Sequence, residues 1–413
     1  MKIAVTGASG LVGRALIRKL LLEGHEVRAL ARNPSKILEL PQSQVYVWRD
    51  SEKAPAAAFD GVDAIVHLAG EGVADARWTK ARKERLVDSR VKGTHNLLAG
   101  VRELAAERRP QALIAASAIG YYGDTGETQA DETSPPGADF LARLCVSWEE
   151  ASSAAGELGL RVAIARIGIV LSREGGALAK MGPATLGSGR QWMSWVHIDD
   201  LVRFFVAALK DTSFTGSYNL TAPQPVRNRD FTKVLAKTLG YPFVLPAPGL
   251  ALKLVLGELA SALLASQRVA PVKTLASGFR FEHEDLAEAL GSIYRGATFL
   301  DDYFSASLFV PLERAEVFPF FSRAENLEVL TPPWLQFKIL DKSSETIARD
   351  TLIDYKLKIK GVPVRWKTKI VDWRPGESFV DDQLSGPYKK WTHLHAFDEV
   401  PGGTLLRDEV TFR

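Results

Sequence analysis

Eight residues near the start of the chain, "TGASGLVG" (Thr6–Gly13), constrain its fold more than any other stretch. The β-branched run "KIAVT" leads into them. The helical pattern "LVGRALIRKLLLEG" follows, with Gly24 placed where a helix takes its left-handed cap. Glycines at 7, 10 and 13 let a strand turn sharply into a helix and let backbone approach another group closely. The helix then begins with free N–H groups and a partial positive charge, which suit a diphosphate. Three glycines alone would be a weak signal. A strand before them, a helix after, and the second strand "HEVRALAR" make a dinucleotide-binding βαβ unit the expected structure.

The alternation continues to about Thr221. "VDAIVHLAG", "ALIAASAIG" and "RVAIARIGIVL" are apolar runs of strand length, separated by helical segments such as "RKERLVDSRVKGTHNLLAGVRELAAE". Near-continuous apolar strands alternating with helices predict an α/β fold, a Rossmann-type doubly wound parallel sheet covered on both faces. Residues 222–292 are helix-rich and are expected to form a small helical extension over the carboxyl ends of the strands. Within it Gly249–Ser266 reads as one amphipathic or buried helix, because Lys253 and Glu258 interrupt it well short of the roughly 20 apolar residues a membrane span needs.

Further along the character changes. In "TLIDYKLKIKGVPVRWKTKIVDW", Ile353, Tyr355, Leu357 and Ile359 fall on one face and Lys356, Lys358 and Lys360 on the other. "KGVP" and "RPGE" are turn signals. A separate antiparallel domain is therefore expected, and the domain limits read as 1–221, 222–292 and 297–413.

Composition excludes several classes. A net charge of +3 gives no case for nucleic acid or for a polybasic membrane anchor. The one cysteine, Cys145, cannot form an internal disulfide, and no signal peptide is read at the N-terminus. A cytoplasmic location and no membrane span are expected.

The end of the second strand indicates which dinucleotide. An NAD site usually places an acid there for the ribose 2′-hydroxyl. This chain reads "LARNPSK", with Ala31 and Arg32 in place of an acid and Lys36 nearby. A guanidinium suits a 2′-phosphate, so NADP(H) is the expected cofactor. The alternative is that Arg32 is a solvated surface arginine.

These motifs, with "HLAG" (His67–Gly70) and "WVHIDDLV" (Trp195–Val202), resemble the extended short-chain dehydrogenase/reductase superfamily. "LAGEGV", "RWTKARKERLVDSR", "SAIGYYG", "WEEA", "RIGIVLSREGGAL", "GSGRQWMSWVHIDD" and "YNLTAPQPVRN" together resemble one atypical branch, the "epimerase family" proteins, which end in a short helical domain like the one here. The resemblance covers residues 1 to about 292. It implies NADP(H) held by Gly7, Ser9, Gly10, Leu11, Val12 and Gly13, with Ala31 and Arg32 at the 2′-phosphate. It also implies Leu68, Ala69 and Gly70 beneath the adenosine-side ribose and diphosphate, Arg90 against cofactor or substrate, and Ile169 beside the nicotinamide.

Hydride-transferring members of the superfamily use Ser or Thr with Tyr-x-x-x-Lys, the lysine lowering the phenol's pKa. None of the nine tyrosines here has lysine four residues later. In "GADFLARLCVSWEEA", if Glu149 matches the family's acid, Leu141 and Cys145 occupy the Tyr and Lys positions. That puts standard redox chemistry in doubt and turns attention to Ser117, Tyr121 and Tyr122. Ser117 ends a predicted central strand. Adjacent tyrosines in an extended segment point opposite ways, so at most one faces the cofactor. A catalytic tyrosine and aromatic packing under the substrate loop both stay open. Arg166 is a candidate for holding an anionic substrate, or an ion pair with Asp199 or Asp200. His197 is a candidate acid/base, with Asp199 the expected helix N-cap. Cys145 reads as part of a buried helix face rather than as a nucleophile.

"ENLEVLTPPWLQFKI" and "PGESFVDDQLSGPYKKWTHLHAFDEVPGGTLLRDEVTF" resemble the polyketide cyclase/START-like (SRPBCC) superfamily, whose curved sheet grips a long C-terminal helix around an apolar cavity. The resemblance implies a helix-grip domain with an apolar ligand. The sequence stops at "RDEVTFR", so that helix is expected to be missing and the domain to dimerise, borrow cover from 222–292 or lack a natural tail. His393 and His395 share a strand face. Two such histidines can bind metal, but no third ligand stands nearby in sequence, so a structural pair with Trp391 is expected and no metal site.

Two functions are compatible with this reading. One is an NADP(H)-dependent oxidoreductase or epimerase acting on a small, sugar-like substrate. The other is a non-catalytic NADP(H)-binding sensor or scaffold.

Overall fold

The computed structural model describes residues 1–413, which divide into two compact units. The first comprises residues 1–20, 25–37 and 42–298; the second comprises 21–24, 38–41 and 299–413.

The first unit is built on a seven-stranded sheet. Its strands are β1 (Lys2–Thr6), β2 (Glu26–Ala31), β3 (Val45–Val47), β4 (Ala64–His67), β5 (Ala112–Ala118) and β6 (Arg161–Ile167), with Gly216–Leu220 at one edge. The spatial order is β3-β2-β1-β4-β5-β6 and then Gly216–Leu220, all parallel. Between them run α1 (Leu11–Leu22), α2 (Lys80–Asp88), α3 (Val91–Arg102), α4 (Phe140–Ser153) and α5 (Ile198–Lys210). Strand order reverses between β1 and β4, which opens a crevice beyond their carboxyl ends. Ile3, Val5, Ile65 and Val66 are fully buried, as a sheet covered on both faces requires.

Residues 222–298 belong to the same compact unit as the sheet. Helices Asn228–Leu239 and Leu286–Tyr294 pack Phe231, Leu235 and Leu290 against Trp195 in one core cluster. The apolar stretch 249–266 departs from the expected single helix. It breaks at Gly257, whose φ of 63° is a left-handed conformation, into helices Gly249–Leu256 and Leu259–Leu264. The first of these buries nothing, and Leu250, Leu254 and Val255 are exposed. No helix of the chain is long and apolar enough to cross a membrane.

The second unit is a seven-stranded antiparallel sheet. Five hairpin steps connect Lys338–Lys342, Leu352–Ile359, Val362–Arg374, Ser378–Ser385, Trp391–Val400 and Gly403–Phe412, and the first strand, Asp302–Val310, pairs with the last. Lys360 and Gly361, both at positive φ, form the first tight turn. Helix Arg314–Phe321 lays Val317 and Phe318 on one face of this sheet, where they meet Ile353, Ile370, Phe379, Phe397 and Leu406.

Candidate functional site

The glycine turn is rigid by construction. Gly7 has φ of 65°, and a Cβ there would stand 2.7 Å from the Leu68 carbonyl. A Cβ at Gly13 would stand 2.3 Å from the Gly7 carbonyl oxygen, so Gly13 serves close packing of α1 on the turn. Leu11 and Val12 form the first turn of α1 and are half-buried. A Cβ at Gly10 would meet only the Gly7 oxygen, 3.2 Å away, and otherwise open space. That space is a cleft of about 300 Å³, lined by residues that include Ser9, Gly10, Ala31, Arg32, Leu68 and Gly70. Arg32 is exposed at its rim.

The floor of the cleft is fixed by groups that sequence reasoning did not single out. Register places Thr6 beside His67. Thr6 Oγ1 accepts from the backbone N–H of Leu68 (3.1 Å) and of Ala69 (3.2 Å) and gives its own proton to His67 Nδ1 at 2.8 Å. Thr94 Oγ1 donates to the Arg90 carbonyl at 2.6 Å, so it can only accept from His67 Nε2, 3.0 Å away. This assigns one tautomer to a neutral His67, and burial pushes its pKa down to about 4. Arg90 holds the same loop from outside. Its guanidinium donates to the Glu71 carbonyl at 2.8 Å and lies over the Trp148 ring. Trp48, Asp50 and Glu71 also line the cleft. Leu68, Ala69 and Arg90 were expected near the cofactor, whereas the roles of Thr6, His67 and Thr94 were not.

At the other end of the sheet, register aligns Ser117 on β5, Arg166 on β6 and Asn219 on the edge strand in one row. Arg166 is buried and its partner is Glu149 on α4, not Asp199 or Asp200. Its Nε donates to Glu149 Oε1 at 2.9 Å and its Nη2 to Oε2 at 2.8 Å. Ser117 Oγ donates to the same carboxylate at 2.7 Å. Tyr122 accepts from Arg166 Nη1 at 2.9 Å and donates to Asn219 Oδ1 at 2.7 Å. Burial pushes its pKa up to about 12 despite Arg166. Tyr121 is half-buried, with its ring 3.5 Å from the Arg166 guanidinium.

Residues 119–122 form a 3₁₀ turn rather than an extended segment. The two tyrosine rings therefore meet edge to face at 5.2 Å instead of pointing opposite ways. Leu141 Cβ and Cys145 Sγ lie 3.4 and 3.8 Å from where a Gly120 Cβ would be, which puts these two non-acidic side chains against the tyrosine turn. Burial, followed by the Glu149 charge, pushes the Cys145 thiol up to about 12, so it is no thiolate nucleophile at neutral pH.

Ile169 is half-buried at the start of strand Ile169–Leu171, which pairs with Trp195–His197. His197, not Asp199, caps α5: its Nδ1 accepts from the Asp199 N–H at 3.1 Å. It stacks on His283 at 3.7 Å, and burial holds its pKa down at about 4. Its nitrogens face Asp199 and Ser292, so its visible role is structural. Beyond the tyrosine turn, an open cleft of about 610 Å³ is lined by Asp124, Glu127, Arg190, Gln191 and Lys253 among others.

In the second unit the two histidines expected as a non-metal pair gain neighbours from other strands. Neighbouring strands bring Asp381 and Asp408 to His393 and His395, supplying in space the acidic partners that sequence proximity lacked.

The model of the family described as "NAD dependent epimerase/dehydratase family" matches residues 3–220, and that of "Domain of unknown function (DUF1731)" matches residues 247–293. The chain is 38% identical over 304 residues to the chloroplastic homologue of epimerase family protein SDR39U1 from Arabidopsis thaliana, covering 71% of this chain and 86% of that one. It is 41% identical over 299 residues to an epimerase family protein of Mycobacterium bovis, covering 70% of this chain and 96% of the relative. Among solved structures, human epimerase family protein SDR39U1 with NADPH is similar at a TM-score of 0.65 and 30% identity, covering 72% of this chain and all (100%) of that one.

Proposed function

Because the chain belongs to the NAD dependent epimerase/dehydratase family, we propose that its first unit binds NADP(H) and acts as an oxidoreductase or epimerase on a small, sugar-like substrate. The observation that carries this is the cleft at the β1/β4 switch point, backed by a glycine turn without side chains and rimmed by Arg32 instead of an acid. The NADPH-bound human relative supports the choice of cofactor. Gly7, Ser9 and Gly10 would hold the diphosphate, Arg32 the 2′-phosphate, and Leu68–Gly70 the adenosine-side ribose. Ile169 would stand toward the nicotinamide end.

NADP(H), when bound, exchanges a hydride with a substrate carbon. The matching proton needs a group that reaches substrate. Tyr122 is buried, committed to Arg166 and Asn219, and holds its proton at neutral pH. We assign the exchange to Tyr121, whose ring Arg166 positions by stacking and whose site Ser117 supports through Glu149. The open cleft beyond, lined by charged and amide groups, suits a hydroxyl-rich substrate. The apolar Leu141 and protonated Cys145 beside the turn favour the second reading, a non-catalytic NADP(H) sensor or scaffold. For the second unit, the helix laid against an antiparallel sheet supports an SRPBCC-like domain for an apolar ligand.

Two experiments test the reading. In titrations of both cofactors, NADP(H) should bind about ten- to a hundredfold more tightly than NAD(H), and Arg32→Ala should abolish the difference, since a phosphate–guanidinium contact is worth about 1.5–3 kcal/mol. Equal affinity for the two would refute it. Oxidation of bound NADPH by a metabolite pool separates the enzyme from the sensor.

A further inference from the structure

We propose that His393, His395 and Asp381 form a binding site for one divalent transition-metal ion of the zinc class, with Asp408 holding the two imidazoles from the far side. The inference stands on the second unit alone and does not depend on the cofactor reading. His393 and His395 are two apart on strand Trp391–Val400, so both imidazoles leave the same face, with ring centroids 3.7 Å apart. Asp381 lies opposite His393 on one neighbouring strand, and Asp408 lies opposite His395 on the other. Three adjacent strands thus gather two imidazoles between two carboxylates, Asp381 facing one nitrogen of each ring and Asp408 the other. A sheet supplies this placement more rigidly than loops do.

The spacing fits a small tetrahedral ion. Bonds of about 2.0–2.1 Å to four ligands separate neighbouring donor atoms by about 3.3 Å. The imidazole–carboxylate separations bracket that value. They are 3.2 Å for His395 Nε2 and 3.7 Å for His393 Nδ1, both to Asp381, while Asp408 takes the opposite nitrogens, His395 Nδ1 at 2.9 Å and His393 Nε2 at 3.2 Å, and so orients the two rings rather than ligating. One donor atom each from Asp381, His393 and His395 fits within 4.8 Å of the others. Two imidazoles with one carboxylate are a ligand set that suits zinc, with water as the fourth ligand. The charge also balances, because a divalent cation with two neutral imidazoles offsets two carboxylates just as two imidazolium protons would. The site is walled yet reachable. His395 stacks on Phe379 at 4.4 Å and His393 meets the edge of Trp391, while the Asp408 side chain is 44% exposed.

A second His–Asp group, His197, Asp199 and His283, is spatially compact as well. There the Nδ1 of His197 is already used to cap α5 and the Asp199 side chain is 67% exposed, so it is the weaker ligand set.

The test is titration of the full chain with Zn²⁺ by calorimetry and with Co²⁺ by visible absorption. One equivalent should bind, and Co²⁺ should show the intense d–d bands of a four-coordinate nitrogen/oxygen site. This spectrum needs no variant and is unaffected by folding defects. His393→Ala and His395→Ala should each abolish binding, Asp381→Asn should weaken it at least tenfold, and His283→Ala should leave it unchanged. Absence of binding at micromolar metal overturns the proposal. So does an octahedral Co²⁺ spectrum, or binding lost in His283→Ala and retained in a folded His393→Ala.

Discussion

Replacing Glu149 by leucine should be one of the most damaging single changes in the first unit. The carboxylate accepts two bonds from Arg166 and one each from Ser117 and Ser217 in a setting where the ion-pair side chains are only 6% and 10% exposed. Without it, the guanidinium keeps only the Tyr122 hydroxyl as a side-chain acceptor and carries an uncompensated charge away from water. Breaking a buried pair from one side costs about 3–5 kcal/mol, whereas replacing both partners by apolar groups of similar volume is often near neutral. For a unit of this size each kcal/mol moves the melting temperature by about 2–4 °C. Glu149→Leu should therefore lower the transition of the first unit by about 10 °C. Glu149→Leu combined with Arg166→Met should recover most of that loss. The assay is thermal and urea unfolding of the four proteins in the double-mutant cycle, followed by far-UV circular dichroism. Strictly additive effects, or a Glu149→Leu protein within 1 kcal/mol of the unaltered chain on the ~3–5 kcal/mol scale of such pairs, would refute the claim that this pair holds the site together.

Two further outcomes follow from the same geometry. Tyr121→Phe should reduce any turnover of NADPH at least a hundredfold without altering cofactor affinity, the loss expected of a positioned acid–base group at roughly 10²–10⁴-fold. Tyr122→Phe should instead lower stability, and the reverse pattern would exchange the two assignments. His67, lowered to about 4 from an ordinary 6.5, favours the folded state fully above pH 6.5 and progressively less as pH falls to 4, a contribution of about 3 kcal/mol. His197 adds the same sign. His67→Gln should flatten the stability–pH slope of the first unit in that window, and an unchanged slope would count against a buried neutral imidazole.

Local signals were legible where one element explains itself. The glycine turn, the strand alternation and the face pairing of Ile353 with Tyr355 all depend on periodicity or on backbone conformation within a few residues. What escaped was set by register between elements. Glu149 reaches Arg166 across 17 residues and two secondary-structure elements. Asp381 and Asp408 reach the two histidines only because three strands align at those positions. The helix Gly249–Leu256 shows a different failure. Its apolar residues marked a helix correctly, but pattern alone carries no information about what a face packs against, and this one leaves Leu250, Leu254 and Val255 exposed. His197 took the cap expected of Asp199 because α5 begins at Ile198, two residues earlier than an Asp199 cap would place it.

The pairing of Asp302–Val310 with Gly403–Phe412 sets an order of events during synthesis. Asp302 is matched with Phe412, so the seventh strand cannot be seated until roughly the whole of this unit has left the ribosome. The hairpins between can form early because each closes a short loop, whereas the final pairing closes a loop of about a hundred residues and costs more chain entropy. Until then Gly403–Phe412 and Asp302–Val310 would each present an unpaired edge, the kind of surface that joins chain to chain. The nascent protein therefore passes through a window in which its first unit can already be complete while its second is still open to the wrong partner.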